Sequence, residues 1–252
     1  MPPERNRRAR TAPVLDLPPP YRLVTLREVG DAFAHATRIA AKEGAGTLVH
    51  VGRFDLAEFA VVLEPDESLA TARRAFYAGM SALADALAAH APPEKPITID
   101  WPDAIRIDQG LIGGGRLAWP DDAVENEPPA WLIFGAMIRT VAMGEDEPGL
   151  RPLSSALEAE GFDDLGSGRL VESFARHLMV AIDTWQEKGF GETTNSYLAR
   201  LAPATSGVRR DLAENGDLIL RRMMDAAPER HALAQALAQM PSWLDPATGG
   251  PK

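Results

Sequence analysis

The chain has 252 residues, of which 45% are hydrophobic and 25% charged, an ordinary balance for a globular protein. Its formal net charge of −10 argues against nucleic acid and against an anionic membrane surface as partners, because both need a basic face. It contains no cysteine, which excludes disulfides, thiolate metal sites and thiol nucleophiles. No stretch reads as a bilayer-spanning helix or a secretory signal, so the sequence predicts a cytoplasmic protein.

Composition divides the chain into three parts. Residues 1–20 are rich in arginine and proline, and we predict a disordered tail there. Residues 21–202 carry the periodic patterns of one folded domain. Residues 203–252 are predicted to form a reduced C-terminal module that ends in a polar tail.

The first half of the folded part alternates short apolar strands with helices. The pattern predicts strands over residues 21–29, 46–54 and 57–65. An alanine-rich helix is predicted over residues 31–44, between the first two strands. Ser68 is predicted to cap one long helix. The apolar residues of that helix recur at helical spacing: Leu69, Ala72, Phe76, Met80, Leu83 and Leu87.

Strands dominate the middle of the chain, and helices follow them. Four strands are predicted, at residues 97–100, 104–108, 111–119 and 131–143. Helices are predicted over Leu170–Trp185 and residues 192–201. A hairpin with its turn at Asn215–Gly216 and a short helix over residues 229–239 complete the pattern.

The order of these elements predicts the fold class. Most strands connect directly to other strands, so the sheet should be mixed or antiparallel and not doubly wound. We therefore expect an α+β fold, in which a mixed or antiparallel sheet packs against helices. A small β-hairpin module should follow at the C-terminal end.

A run of three glycines suggests a binding site. Gly113, Gly114 and Gly115 lie within a predicted strand, which glycine weakens, so close approach of a ligand or a β-bulge should compensate. Trp101 either lines a ligand pocket or packs in the core. Asp103 either accepts a hydrogen bond from a ligand or caps a turn.

Two further positions are candidates for ligand contact. Arg53 follows Gly52 at the end of a predicted strand, where it could bind an anion or form a surface ion pair. Gly135 interrupts an apolar strand, so either close packing or ligand approach is expected there.

These residues, taken in order, resemble the catalytic core of the biotin/lipoate protein ligase superfamily. Trp101–Pro102 and Leu111–Gly115 stand where the family has a Trp-Pro strand and a glycine strand. Residues 46–53 resemble the strand that runs into the family's arginine-rich loop, and residues 131–140 resemble a later family strand. The resemblance implies a class II synthetase-like fold.

The resemblance also implies a function. Such ligases use ATP, with or without magnesium, to activate biotin, lipoate or a medium-chain acid as an acyl-adenylate. They then pass the acyl group to a lysine of a biotinyl or lipoyl carrier domain. The implied ligand-binding residues are Gly52, Arg53, Trp101, Asp103, Gly113, Gly114, Gly115 and Gly135. Neither a monomer nor an oligomer is predicted, and no catalytic residue is assigned.

The chain also departs from the family pattern. Asp100 and Gly110 stand at the positions of the two family lysines, and the arginine-rich loop is shortened to residues 52–55. The absence of cysteine excludes the thioester mechanism of the octanoyltransferase branch. The alternative hypothesis is therefore a catalytically degenerate protein that keeps the ligase fold to bind a small acid or a partner.

Overall fold

The computed structural model describes residues 15–143, 153–222, 225 and 227–252. The strands are β1 Arg22–Leu26, β2 Thr47–Val51, β3 Leu56–Leu63, β4 Ile97–Asp100, β5 Ala104–Ile107, β6 Gly110–Ala118, β7 Leu132–Arg139, β8 Val208–Leu212, β9 Leu218–Arg222 and β10 Glu229–His231. The helices are α1 Ala32–Glu43, α2 Leu69–Ala72, α3 Ala75–Ala88, α4 Ser167–Lys188, α5 Phe190–Arg200 and α6 Leu233–Leu237. Within these ranges no helix combines the length and hydropathy needed to cross a bilayer.

A mixed sheet of seven strands forms the centre of the fold, in the order β1-β2-β3-β7-β6-β5-β4. Only β1 and β2 pair in parallel, while every other neighbouring pair is antiparallel. A separate three-stranded antiparallel sheet follows near the C-terminus, in the order β10-β9-β8. The predicted α+β class with a small C-terminal β-module is therefore confirmed.

The two faces of the main sheet are covered differently. On one face, which we call the core face, α3 and α4 pack with Phe59, Phe134 and Phe174 in the main hydrophobic core. On the other, the α1 face, the small side chains of α1 lie against Val49, Ala60 and Ile133 among others. Alternation along β6 therefore decides which residues meet the core and which meet α1 or its surroundings.

The helix predicted from Ser68 is broken into α2 and α3. The backbone turns at Arg73 and Arg74, whose side chains form ion pairs with Glu125 and Glu67, respectively, in different loops. The side chain of Ser68 makes no capping hydrogen bond to the helix backbone. The carbonyls of residues 125 and 127 accept from the first helical N–H groups instead, so a distant loop supplies the cap.

Both ends of the described chain pack more closely than the sequence predicted. Leu15 is buried, and the N–H of Asp16 donates to Glu172 of α4 at 2.8 Å, so ordered packing begins before Tyr21. The short helix predicted over residues 229–239 is reduced to α6. The residues just before it instead form β10, because they pair with β9.

The residues just before the predicted polar tail, 245–252, pack into the fold. Trp243 is fully buried and belongs to a small cluster on the α1 face. The other members of that cluster come from four strands of the main sheet: Leu56, Ala104, Leu111 and Met137.

Candidate functional site

Two of the three consecutive glycines are explained by packing within the fold. Gly113 has φ +143°, and a Cβ there would lie 1.9 Å from the carbonyl oxygen of Met137 on β7. At Gly115 a Cβ would lie 2.6 Å from Sδ of Met80 and 3.0 Å from the ring of Phe134. Close pairing with β7 and close packing of α3 therefore require these glycines without a ligand.

The third glycine faces a tryptophan from the C-terminal end of the chain. A Cβ on Gly114 would lie 1.9 Å from the carbonyl oxygen of Asp103 and 2.4 Å from Cδ1 of Trp243. The indole Nε1 donates a hydrogen bond to the carbonyl oxygen of Gly115 at 3.1 Å. The space predicted for a ligand beside Gly114 is thus filled by the protein's own side chain.

Asp103 lies beside the same tryptophan and is almost completely buried. Its carboxylate accepts hydrogen bonds from Oγ of Ser242 at 2.6 Å and from the backbone N–H of Ser242 at 3.0 Å. Burial raises the pKa of this carboxyl, while the two hydrogen bonds from Ser242 and the charge of Lys252 act in the opposite direction. The ammonium of Lys252 donates to the carbonyl of Ser242 at 2.6 Å.

Trp101 lies on the other side of the sheet from Gly114. Its Nε1 donates to the hydroxyl of Tyr77 on α3 at 3.1 Å, and that hydroxyl donates to the carbonyl of Gly216 at 2.6 Å. The ring packs at the margin of the main core and 5.6 Å from the ring of His231, centroid to centroid. It also lines a cleft of about 320 Å³ between β4 and the small sheet, together with Arg210.

Arg53 lies in the turn between β2 and β3 and already has an acidic partner. Its guanidinium donates to both carboxylate oxygens of Asp55, at 3.0 and 2.6 Å. Hydrogen bonding to Asp55 raises the pKa of Arg53 and lowers that of Asp55. A Cβ on Gly52 would make only ordinary contacts, the nearest at 3.5 Å, so no steric constraint requires glycine there.

Gly135 allows α1 to approach the sheet. A Cβ there would lie 2.4 Å from the ring of Phe33, which sits on the first turn of α1. Close helix packing accounts for this glycine, and it leaves the N-terminus of α1 directly over β6 and β7.

A charged cluster at the N-terminus of α1 was not among the predicted site residues. Arg116 lies two residues beyond Gly114 on the same face of β6, and its guanidinium lies 4.0 Å from the ring centroid of Phe33. It donates to the carboxylate of Asp31 at 3.3 Å. The buried carboxylate of Glu58 accepts the N–H of Ala32 at 2.8 Å.

The cluster combines the buried charge of Glu58 and the largely buried charge of Arg116 with one unused donor. Burial raises the pKa of Glu58 and lowers that of Arg116, while the charges of Asp31 and Glu58 partly restore the pKa of Arg116. Nε of Arg116 is buried and has no hydrogen-bond partner in the described part of the chain. Alternation along β6 from Gly114 could have located Arg116, whereas no local signal marks Glu58.

Replacing Glu58 by glutamine should raise the free energy of unfolding at neutral pH. A carboxyl with a raised folded-state pKa binds its proton more tightly when folded, so wild-type stability falls as pH rises from the ordinary value through the raised one. The two proteins should differ least below about pH 4 and diverge above it, as measured by urea unfolding at a series of pH values. Exposed Glu64 on the loop after β3 offers the control, since Glu64→Gln should change stability by less than about 0.5 kcal/mol at every pH.

The structure thus separates the predicted residues into three locations. Gly114, Asp103 and Gly135 share the α1 face with Arg116. Gly52 and Arg53 lie at the end of β2, and Trp101 lies on the core side. Asp100, at a family lysine position, forms an ion pair with Arg106 at 2.5 Å, so its charge is matched.

The fold and the glycine strand together define a class of protein, the catalytic core of the ligases that attach biotin or lipoate to other proteins. The sequence profile of the biotin/lipoate A/B protein ligase family matches residues 17–199, and the chain belongs to that family. No curated protein sequence matches the chain.

Solved structures agree with this assignment. The chain is similar to a biotin protein ligase-like protein of unknown function from Silicibacter sp. TM1040, with a TM-score of 0.75, 27% identity, and coverage of 90% of this chain and 100% of that one. The apo biotin protein ligase of Aquifex aeolicus matches with a TM-score of 0.66, 14% identity, and coverage of 84% and 96%. The same enzyme in complex with biotin and ATP matches with a TM-score of 0.63, 15% identity, and coverage of 82% and 94%. The two Aquifex comparisons show the shared fold.

Proposed function

We propose that this protein binds biotin on the α1 face, activates it with ATP and passes it to a lysine of a carrier domain in the cytoplasm. The observation that carries the proposal is a pair of buried hydrogen-bond acceptors on that face. The carboxylate of Asp103 and the carbonyl of Gly115 both accept bonds from the dipeptide Ser242–Trp243. Biotin has two N–H groups in its ring system that suit such acceptors, whereas lipoate and octanoate have none.

The surroundings of the two acceptors also suit this acid. Leu56, Leu111 and Met137 form an apolar wall beside them, against which a hydrocarbon chain and a ring can pack. Arg116 lies two residues beyond Gly114 on the same face of β6. At a strand's rise of roughly 3.3 Å per residue, the two positions are about 7 Å apart. The unused Nε of Arg116 makes it the cation that would meet the carboxylate of the acid.

The proposed reaction has two steps. A carboxylate oxygen of biotin attacks the α-phosphorus of ATP, which forms biotinyl-adenylate and releases pyrophosphate. The amine of the carrier lysine then attacks the acyl carbon, and AMP leaves with the electron pair of the broken C–O bond. The described residues contain no group of three or more His, Asp or Glu side chains that could hold a metal, so magnesium would arrive bound to ATP.

ATP–pyrophosphate exchange tests this proposal directly. The purified chain is offered biotin, lipoate and octanoate separately, beside an active biotin protein ligase as a positive control. Exchange that depends on biotin supports the proposal, and exchange that depends on another acid changes its substrate. Isothermal titration with each acid, with and without ATP, shows whether binding occurs where exchange does not.

Arg116→Ala should weaken binding of biotin by about tenfold or more, because it removes a charge-assisted hydrogen bond to the carboxylate. Isothermal titration measures the change in Kd. Arg38→Ala, on the exposed side of α1, is the matched control and should bind as the wild type does. Equal affinities in all three proteins would exclude Arg116 from the acid-binding site.

A second candidate function, binding of an acid without activation, is favoured by the charges at the site. Asp55 pairs with Arg53, Asp31 pairs with Arg116, and Asp100 replaces a family lysine. Binding of a triphosphate needs more cations than anions at the site, and these ion pairs leave no cation in excess. Tight binding of an acid with no pyrophosphate exchange would establish this candidate in place of the ligase.

A further inference from the structure

The last twelve residues, 241–252, form a compact loop that we call the C-terminal segment. Residues at its two ends meet, because the N–H of Lys252 donates to the carbonyl of Trp243 at 2.8 Å. Leu244 and Pro251 form an isolated antiparallel bridge, and the N–H of Asp245 donates to the carbonyl of Gly250 at 2.8 Å. The segment is therefore closed on itself by its own backbone hydrogen bonds.

Side-chain contacts hold this segment against the sheet, and Arg139 and Ser154 donate hydrogen bonds to the carbonyls of its last two residues. Trp243 inserts between the strands' side chains, and Ser242 binds Asp103 as described above. A guanidinium nitrogen of Arg139 on β7 donates to the carbonyl of Pro251 at 2.6 Å. The residues that join the segment to α6, 238–240, are exposed, as are residues 246–249 within it.

The contacts of the segment are those that the proposed ligand would need. Trp243 uses the carbonyl of Gly115, and Ser242 uses the carboxylate of Asp103. The indole also lies directly against Gly114, where an added Cβ would be only 2.4 Å from it. A ligand and the indole therefore cannot occupy this part of the face together.

We infer that the C-terminal segment is an autoinhibitory cover, in which Ser242 and Trp243 compete within the molecule for the acid-binding face. This inference rests on the proposed function. The acid binds only to molecules in which the segment has moved away, so the apparent affinity is reduced in proportion to the open fraction. Acid binding and closure of the segment are mutually exclusive, and each opposes the other by the same free energy.

Variants of the segment test the inference in the full-length chain. Ser242→Ala removes the hydroxyl that binds Asp103, and Trp243→Phe keeps an aromatic ring but removes the donor to Gly115. Both changes destabilise the closed state and leave the strands of the face intact. Each should tighten the Kd for biotin by about tenfold, since one charge-assisted or buried hydrogen bond is lost only from the closed state.

Met240→Ala is the matched control, because Met240 immediately precedes the segment and its side chain is exposed. It should bind biotin with the wild-type Kd. Unchanged or weaker binding by both Ser242→Ala and Trp243→Phe would overturn the inference while leaving the proposed function intact. Isothermal titration with biotin measures all four proteins.

Hydrogen exchange separates failure of the inference from failure of the proposed function. If no variant binds biotin, lipoate or octanoate, the proposed function fails. Hydrogen exchange of the free protein then decides whether the C-terminal segment opens independently. Independent opening predicts that peptides from residues 241–252 exchange faster than peptides from β7, and faster still in Ser242→Ala. Exchange of both at one rate would show that the segment opens only on global unfolding, which overturns the inference.

Discussion

Trp243→Ala should lower the free energy of unfolding by about 3–5 kcal/mol, the range expected when a fully buried aromatic side chain is removed from a packed site. The indole is completely buried among apolar side chains of the main sheet and donates a hydrogen bond to Gly115. Truncation leaves a cavity on the α1 face and an unpaired carbonyl. Urea unfolding followed by circular dichroism measures the loss.

Trp119→Ala provides the comparison, because Trp119 is only partly buried and its ring lies beside the guanidinium of Arg73. It should destabilise the protein much less than Trp243→Ala does. Equal losses would mean that Trp243 contributes no more than a partly buried aromatic residue. The same Trp243→Ala variant should bind biotin more tightly than the wild type, so that stability falls as access to the site rises.

Gly113→Ala should destabilise the protein by about 3 kcal/mol or more, because it combines an unfavourable backbone conformation with a severe steric clash. The position has φ +143°, and the added methyl group would lie 1.9 Å from a carbonyl oxygen of β7. Relief of the clash requires β6 and β7 to move apart at the centre of the sheet. Thermal and urea unfolding measure the effect.

Gly191→Ala is the control with the opposite expected sign. Gly191 lies in α5, has no positive φ, and a Cβ there would meet nothing within 4 Å. Alanine should therefore stabilise the protein by up to about 1 kcal/mol, since it restricts the unfolded chain and favours the helix. Similar stabilities of the two variants would show that the tight contact at Gly113 is relieved without cost.

The close contacts around the glycines determine which residues are suitable targets for a test of binding. A bulky residue at Gly114 would clash with the carbonyl of Asp103 as well as with Trp243, so lost binding there would reflect a distorted strand. Arg116 and Ser242 are better targets, because their side chains act from outside the strand backbone. Their substitution changes the face while the pairing of β5, β6 and β7 is kept.

The sequence by itself determined most of the elements and the family. Alternation and helical spacing reflect interactions within a few residues, so β2, β3, β7, α1 and α4 could be predicted from local patterns. Runs such as Trp101–Pro102 and Leu111–Gly115 carried the resemblance, which the match over residues 17–199 confirms. The unusual positions of the glycines could also be predicted, together with a β-bulge and close packing as possible causes, but the sequence could not choose between these causes and a ligand.

Only the tertiary structure decided what each candidate residue contacts. Asp103 and Ser242 are 139 positions apart in the chain, and no local pattern links the turn before β5 to a residue near the C-terminal end. Burial of Trp243, the break between α2 and α3, and the raised pKa of Glu58 likewise depend on neighbours that are distant in sequence. Packing and desolvation are properties of the folded surroundings, so they determine whether a glycine faces a ligand, a strand or the protein's own indole.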